Sequence, residues 1–160
     1  MGRFQSTKVV SGFSTVFRQH RAADTHCKFI HGYAISFKLW FAAEELDHRQ
    51  WCVDFGFLKR SRTQVVAGGR LGSIGDWFKW LFDHTVVIAA DDPELLDFEA
   101  LATKGVLQLR VVPFVGCERF AELVCKQLEK FLEEETKGRV KIVRVECFEH
   151  SRNSAIYEPA

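Results

Sequence analysis

At 160 residues, with 47% hydrophobic residues and a net charge of +1, the chain is sized for one domain with a buried core and is too apolar for a disordered one. The near-neutral balance offers no field for nucleic acid or a membrane surface, and no apolar run approaches the ~20 residues that cross a bilayer. Cys27, Cys52, Cys117, Cys125 and Cys147 are odd in number and lack a Cys-x-x-Cys pair, which argues for reduced thiols in a cytoplasm over a disulfide framework or a zinc knuckle. The first eight residues lead into a strand and not into the apolar core of a signal peptide.

Residues 8–19 alternate as a first strand, with Val9, Ser11, Phe13, Thr15 and Phe17 on one face. A short connection, 22–26, leads to Cys27-Lys28-Phe29-Ile30-His31-Gly32-Tyr33, which packs a thiol, an imidazole and a phenol into seven residues. A second strand follows over about 29–42, antiparallel to the first. Side chains two apart on a strand share a face, so His31 and Tyr33 point the same way, with Cys27 one short turn upstream.

Residues 45–49 predict a polar turn, and Asp54 an N-cap for a helix entering at Phe55. Residues 60–75 are basic and glycine-rich (Gly68, Gly69, Gly72, Gly75) but match no phosphate-cradling motif, so a mobile surface loop is expected. Lys59, Arg60, Arg62 and Arg70 leave a contact to an anionic substrate tail open. Asp76 can cap a helix over 77–82, ending at Asp83-His84. Residues 86–89 are a short apolar run, 94–103 a helix closed by Lys104-Gly105, and 106–112 a third strand stopped by Pro113. The clearest helix is 118–135, whose Phe120, Val124, Leu128, Phe131 and Leu132 share one face. Residues 139–148 form a fourth alternating strand. This order predicts an α+β fold with helices on one face of a sheet.

The chemistry-bearing residues are dispersed. A cysteine thiolate can act as a base when an imidazole takes its proton; Cys27 with Asp83 and His84 fits that role if the pair sits at a helix end, where adjacent side chains can meet. The plainer reading of His84 is a charge at a helix C-terminus. His20, His26 and His31 can hold a zinc ion, which takes nitrogen ligands and leaves one position open in catalytic sites; they read equally well as surface histidines beside Arg18 and Arg21. Glu118 either complements a helix N-terminus or accepts paired hydrogen bonds from a guanidine-like edge. Cys117 and Cys125 read as packing thiols.

Taken together over about residues 8–157, these parts resemble the 6-pyruvoyl-tetrahydropterin synthase / 6-carboxytetrahydropterin synthase family. The order carries the resemblance: a His-bearing first strand, Cys27-x-x-x-His31-Gly32, Val53-Asp54-Phe55-Gly56-x-Leu58-Lys59, Leu81-x-Asp83-His84, Glu118 opening the long helix, and Val145-x-x-x-Glu149 running to Ala155-x-Tyr157. The resemblance implies one tunnelling-fold domain over 1–160. Its four-stranded antiparallel sheet carries helices on one face, and protomers join sheets into a barrel as a trimer or hexamer. It also implies zinc held by His20, His26 and His31, Cys27 as base with Asp83 and His84 as relay, and Glu118 and Glu149 on the pterin. The Cys-x-x-x-His spacing is similar to the carboxy-forming branch, which turns 7,8-dihydroneopterin triphosphate into 6-carboxytetrahydropterin, acetaldehyde and triphosphate for 7-deazaguanine (queuosine-type) synthesis. The pyruvoyl-forming reaction and a zinc-free pterin- or purine-binding role are the alternatives. Three positions depart from the family pattern. His31-Gly32-Tyr33 stands for His-Gly-His, His20 follows Phe17 by three residues rather than four, and Gly116-Cys117-Glu118 stands for Thr-x-Glu.

Overall fold

The computed structural model describes residues 2–60, 64–66 and 69–160. Its main sheet is antiparallel in the order β1 (Phe4–Val10), β4 (Ser36–Ala43), β9 (Lys141–His150), β10 (Asn153–Tyr157). A second, mixed sheet runs β3 (His31–Tyr33), β2 (Thr15–Phe17), β7 (Thr85–Ala89), β8 (Leu109–Val112). In it β2 pairs antiparallel with β3 and parallel with β7, and β7 pairs parallel with β8.

The two long strands expected at 8–19 and 29–42 are antiparallel partners, but each is divided between the two sheets. β1 pairs with β4 in the first sheet and β2 with β3 in the second. The first break holds Gly12, whose φ of +91° lies where a side chain is strained; the second falls at Ala34-Ile35. Two further expectations are corrected. The strand expected at 106–112 begins at Leu109 and belongs to the mixed sheet, and the fourth antiparallel strand is the tail segment β10. A tight turn at Ser151-Arg152 lets that tail fold back on β9.

Helix α2 (Ile74–Phe82) starts three residues before the expected 77, because Ser73 is its N-cap. The Ser73 side chain accepts from the Asp76 backbone N–H, and the Asp76 carboxylate accepts from Ser73 N–H, a reciprocal capping box. Much of the expected loop at 60–75 is structured: a small hairpin, β5 (Gln64–Val65) with β6 (Leu71–Gly72), leads into α2. Arg62 and Gly68 of that stretch lie outside the described residues. A short helix α1 (Phe57–Arg60) follows Asp54, whose carboxylate accepts from Gly56 N–H and pairs with Arg60 and Arg49. Helix α3 (Leu95–Thr103) buries no residue, whereas α4 (Cys117–Thr136) buries Phe120, Val124, Leu128, Phe131 and Leu132.

Helix α4 packs on β9 and β10, so its apolar stripe meets the inward residues of the main sheet. The core is built around phenylalanine. Phe37 lies 4.9 Å from Phe82, Phe82 5.3 Å from Phe120, and Phe17 5.1 Å from Phe120, ring centre to ring centre. Such pairs add about 0.5–1.5 kcal/mol each beyond area burial, and they tie α2, α4 and both sheets into one core. That core holds the first turn of α4, the end of β9 and strands β2–β3 as the walls of one cavity.

Candidate active site

Cys27 sits on a 3₁₀ turn over His26–Lys28. Thr25 caps the turn by accepting from Cys27 N–H at 3.2 Å, and the Cys27 carbonyl accepts from Gln19 N–H at 2.9 Å. The thiol is thereby tied to the end of β2. Tyr33, on β3, stacks on Phe17 with ring centres 4.0 Å apart and planes 17° apart, and its other neighbour is the His31 ring at 4.4 Å. His31 and Tyr33 therefore do share a face. Glu118 stands in the first turn of α4. Its N-cap is Gly116, with φ +111° and no side-chain cap; a Cβ at that position would collide with the Gln19 amide. Glycine here lets Gln19 reach in beside Glu118. Glu149 lies two residues beyond Cys147 on β9 and so on the same, inward face.

These residues meet. Cys27, Tyr33, Cys117, Glu118 and Glu149, with Phe17, Gln19, Asn153, Ser154 and Ala155, line one cavity of about 230 Å³. Neither carboxylate is hydrogen-bonded or ion-paired among the described residues. Burial first, then the charge of Glu149, pushes the Tyr33 hydroxyl well above the usual phenol range, so it stays protonated. Burial raises the Cys147 thiol in the same way, reinforced by a hydrogen bond with Cys117. Three larger surface hollows lie elsewhere: one of about 420 Å³ beside Arg3 and Glu44, one of about 440 Å³ beside Phe4 and Trp51, and one of about 290 Å³ beside Arg49 and Asp54. Chemistry and not volume marks the site: a thiol, a phenol and two uncommitted carboxylates converge in the smaller cavity and in none of the three larger hollows.

Gln19, Phe17, Asn153 and Ser154 were absent from the sequence-based set. The strand alternation of Phe17 and Gln19 was visible, but the turn that brings β10 back was not.

Asp83 and His84 are in contact at the end of α2. His84 Nδ1 lies 3.0 Å from Asp83 Oδ1, which also accepts from Ser14 N–H at 3.1 Å. His84 adopts φ +56°, and its imidazole is 77% exposed. The pair does not line the Cys27 cavity of its own chain.

The three histidines are not brought together. His20 faces Asp91 at 3.5 Å and Asp92 at 3.9 Å, in a cluster with Arg18 and Arg21. His26 is exposed on the 3₁₀ turn. His31 Nδ1–H donates to the Phe29 carbonyl at 2.8 Å, leaving only Nε2 free. Among the described residues no three His, Cys, Asp or Glu side chains form a group able to hold a metal ion. Zinc sites of the catalytic kind need three protein ligands, so this donor set does not fit the ion. His20, His26 and His31, the expected zinc set, are therefore not gathered into one ligand group in this structure. The cause is local: β2 ends at Phe17, and His20 lies in the turn that follows, on the side of Asp91 and Asp92. At three residues after Phe17, His20 points away from the face that carries Phe17 and Gln19 into the cavity.

An α+β chain with an antiparallel four-stranded sheet, a long helix across it and a carboxylate-lined cavity at the helix N-terminus defines the class. The family model for 6-pyruvoyl tetrahydropterin synthase matches residues 7–160, and the chain belongs to that family. Solved structures agree on the fold. An uncharacterized protein, WS1659, from Wolinella succinogenes superposes with a TM-score of 0.73 at 19% identity, with 100% of each chain covered. The 6-pyruvoyl tetrahydropterin synthase of Caenorhabditis elegans gives 0.63 at 15% identity, covering 100% of this chain and 98% of its own. That of Plasmodium vivax gives 0.62 at 12%, with 98% of each chain covered. No curated protein matches the chain. No helix among the described residues is long and apolar enough to cross a membrane.

Proposed function

We propose that the chain is a pterin-transforming carbon–carbon lyase of the 6-carboxytetrahydropterin synthase type. Its substrate is 7,8-dihydroneopterin triphosphate, and with one water the products are 6-carboxytetrahydropterin, acetaldehyde and triphosphate, within 7-deazaguanine synthesis. The observation that carries this reading is that Cys27, Glu118 and Glu149, far apart in sequence, line one cavity. Glu118 accepts two N–H bonds from the amino-pyrimidine edge of the ring, and Glu149 takes a further ring N–H. The ring then lies in the cavity that Phe17 and Tyr33 help to line, and its side chain lies toward Cys27. As thiolate, Cys27 removes a proton from that side chain.

The relay of Asp83 and His84 comes from a neighbouring protomer. His84 is exposed and lies outside its own chain's cavity, so it is free to complete a site across an interface. We therefore propose a homo-oligomer, trimer or hexamer, in which main sheets join edge to edge. Both edge strands, β1 and β10, have a free side for this pairing.

A second reading, a zinc-free protein that binds a pterin or purine without turnover, is favoured by the scattered histidines. Incubation with dihydroneopterin triphosphate separates the possibilities. Acetaldehyde with 6-carboxytetrahydropterin supports the proposal, and triphosphate without acetaldehyde assigns the pyruvoyl-forming reaction. Tight binding with no product assigns the non-catalytic role.

A further inference from the structure

We propose that the Tyr33 hydroxyl, and not a metal ion, holds the polar side chain of the ligand in this protein. The inference rests on the pterin reading of the cavity and adds a residue with a defined task to it.

The aromatic ring of Tyr33 is committed. Phe17 covers one side at 4.0 Å and His31 approaches at 4.4 Å, so the phenol is fixed in orientation on a short strand. The residue as a whole is only 9% exposed, yet it lines the cavity beside Cys27. Its hydroxyl makes no hydrogen bond among the described residues, and it is not one of the sealed, unpartnered atoms. It therefore opens into the cavity. A ligand oxygen in the cavity gives this fixed donor a partner.

The competing device is absent for a reason of geometry. His20 turns both ring nitrogens toward Asp91 and Asp92, and His31 alone offers one nitrogen near Tyr33. A phenolic O–H donates one hydrogen bond and accepts others, which suits a ligand side chain bearing hydroxyls. A ligand without that side chain makes no use of it.

The test uses two probes, neopterin with its trihydroxypropyl group and pterin with none. Binding of both to untagged wild-type chain and to Tyr33→Phe is measured by calorimetry, with melting temperature as the control for folding. Zinc content is measured by elemental analysis after incubation with a zinc salt and desalting. We expect far less than one zinc per chain, an about tenfold loss of neopterin affinity in Tyr33→Phe (the loss of one hydrogen bond) and unchanged pterin affinity. Near-stoichiometric zinc that is lost in His31→Ala overturns the inference. So does equal neopterin affinity in wild type and variant, while both probes still bind and the pterin reading stands. Failure of both probes to bind the wild type overturns the pterin reading itself and the inference with it.

Discussion

Residues 17–20 separate two regions that differ in how their polar groups are used. Phe17 and Gln19 face the cavity, where the side chains of Glu118, Glu149 and Cys27 and the Tyr33 hydroxyl have no hydrogen-bond partner among the described residues. Arg18 and His20 face Asp91 and Asp92, where the arginine–aspartate pairs match charges and the buried His20 Nδ1 has no hydrogen-bond partner among the described residues. Asp92, 1% exposed at its side chain, accepts from Arg18 Nε at 2.8 Å and Nη2 at 2.5 Å, and also from Glu94 N–H at 2.9 Å. Arg21 pairs with Asp91. Satisfied polar groups hold structure together, and groups left open to a cavity await a ligand. The same four residues thus build an anchor on one side and a site on the other.

The difference is broken hardest at Cys27. Cys27→Ala should lower turnover by about 10²–10⁴-fold, the usual worth of a positioned base, while melting temperature and pterin affinity stay near wild type. Turnover within a few-fold of wild type removes Cys27 as the base. On the anchor side, Asp92→Asn leaves the Arg18 guanidinium without its carboxylate. It should cost about 3 kcal/mol in denaturant unfolding, at the lower end for a broken buried pair because Arg18 keeps some exposure. Pterin affinity of the folded variant should not change; a parallel loss would show that the two faces are one unit.

The same carboxylate gives a pH test. Burial pushes Asp92 up, but the Arg18 hydrogen bonds, the Glu94 N–H and the charges of Arg18 and His20 outweigh it and hold the group below the usual range. Its contribution is fully present above the unfolded value of ~3.9 and is lost as pH falls through the lower folded value. Wild type should therefore lose stability below about pH 4 more steeply than Asp92→Asn. Parallel curves would show that Asp92 is not the linked group.

Glu118→Ala comes next and belongs to the site. It should weaken pterin binding by about 10–100-fold, because the ring N–H groups lose their acceptor, with little change in stability. Unchanged affinity would move the ring anchor elsewhere. The smallest effect serves as a control outside both regions. Ser73→Ala should cost about 1 kcal/mol through the lost cap of α2 and leave ligand affinity alone.

The amino-acid order by itself specified the long amphipathic helix, whose seven-residue apolar stripe admits one burial face, and the antiparallel pairing of the first two strands, whose alternation has period two. It also supplied candidates that line the cavity: Cys27, Glu118 and Glu149 were named from residue type, their order and the family resemblance. Periodicity is local, so it carried no information on which sheet a strand enters. The division of both early strands between two sheets, the placement of residues 109–112 beside β7 and the return of the tail as β10 were decided by tertiary pairing. The histidines mark the limit most clearly. Three imidazoles within twelve residues looked like one set, but the turn after β2 carries His20 to Asp91 and Asp92, the 3₁₀ turn leaves His26 in solvent, and His31 stays with Tyr33. Proximity along the chain gave the candidates. The direction of each Cα–Cβ bond, fixed only when the strands found their partners, decided which of them share a site.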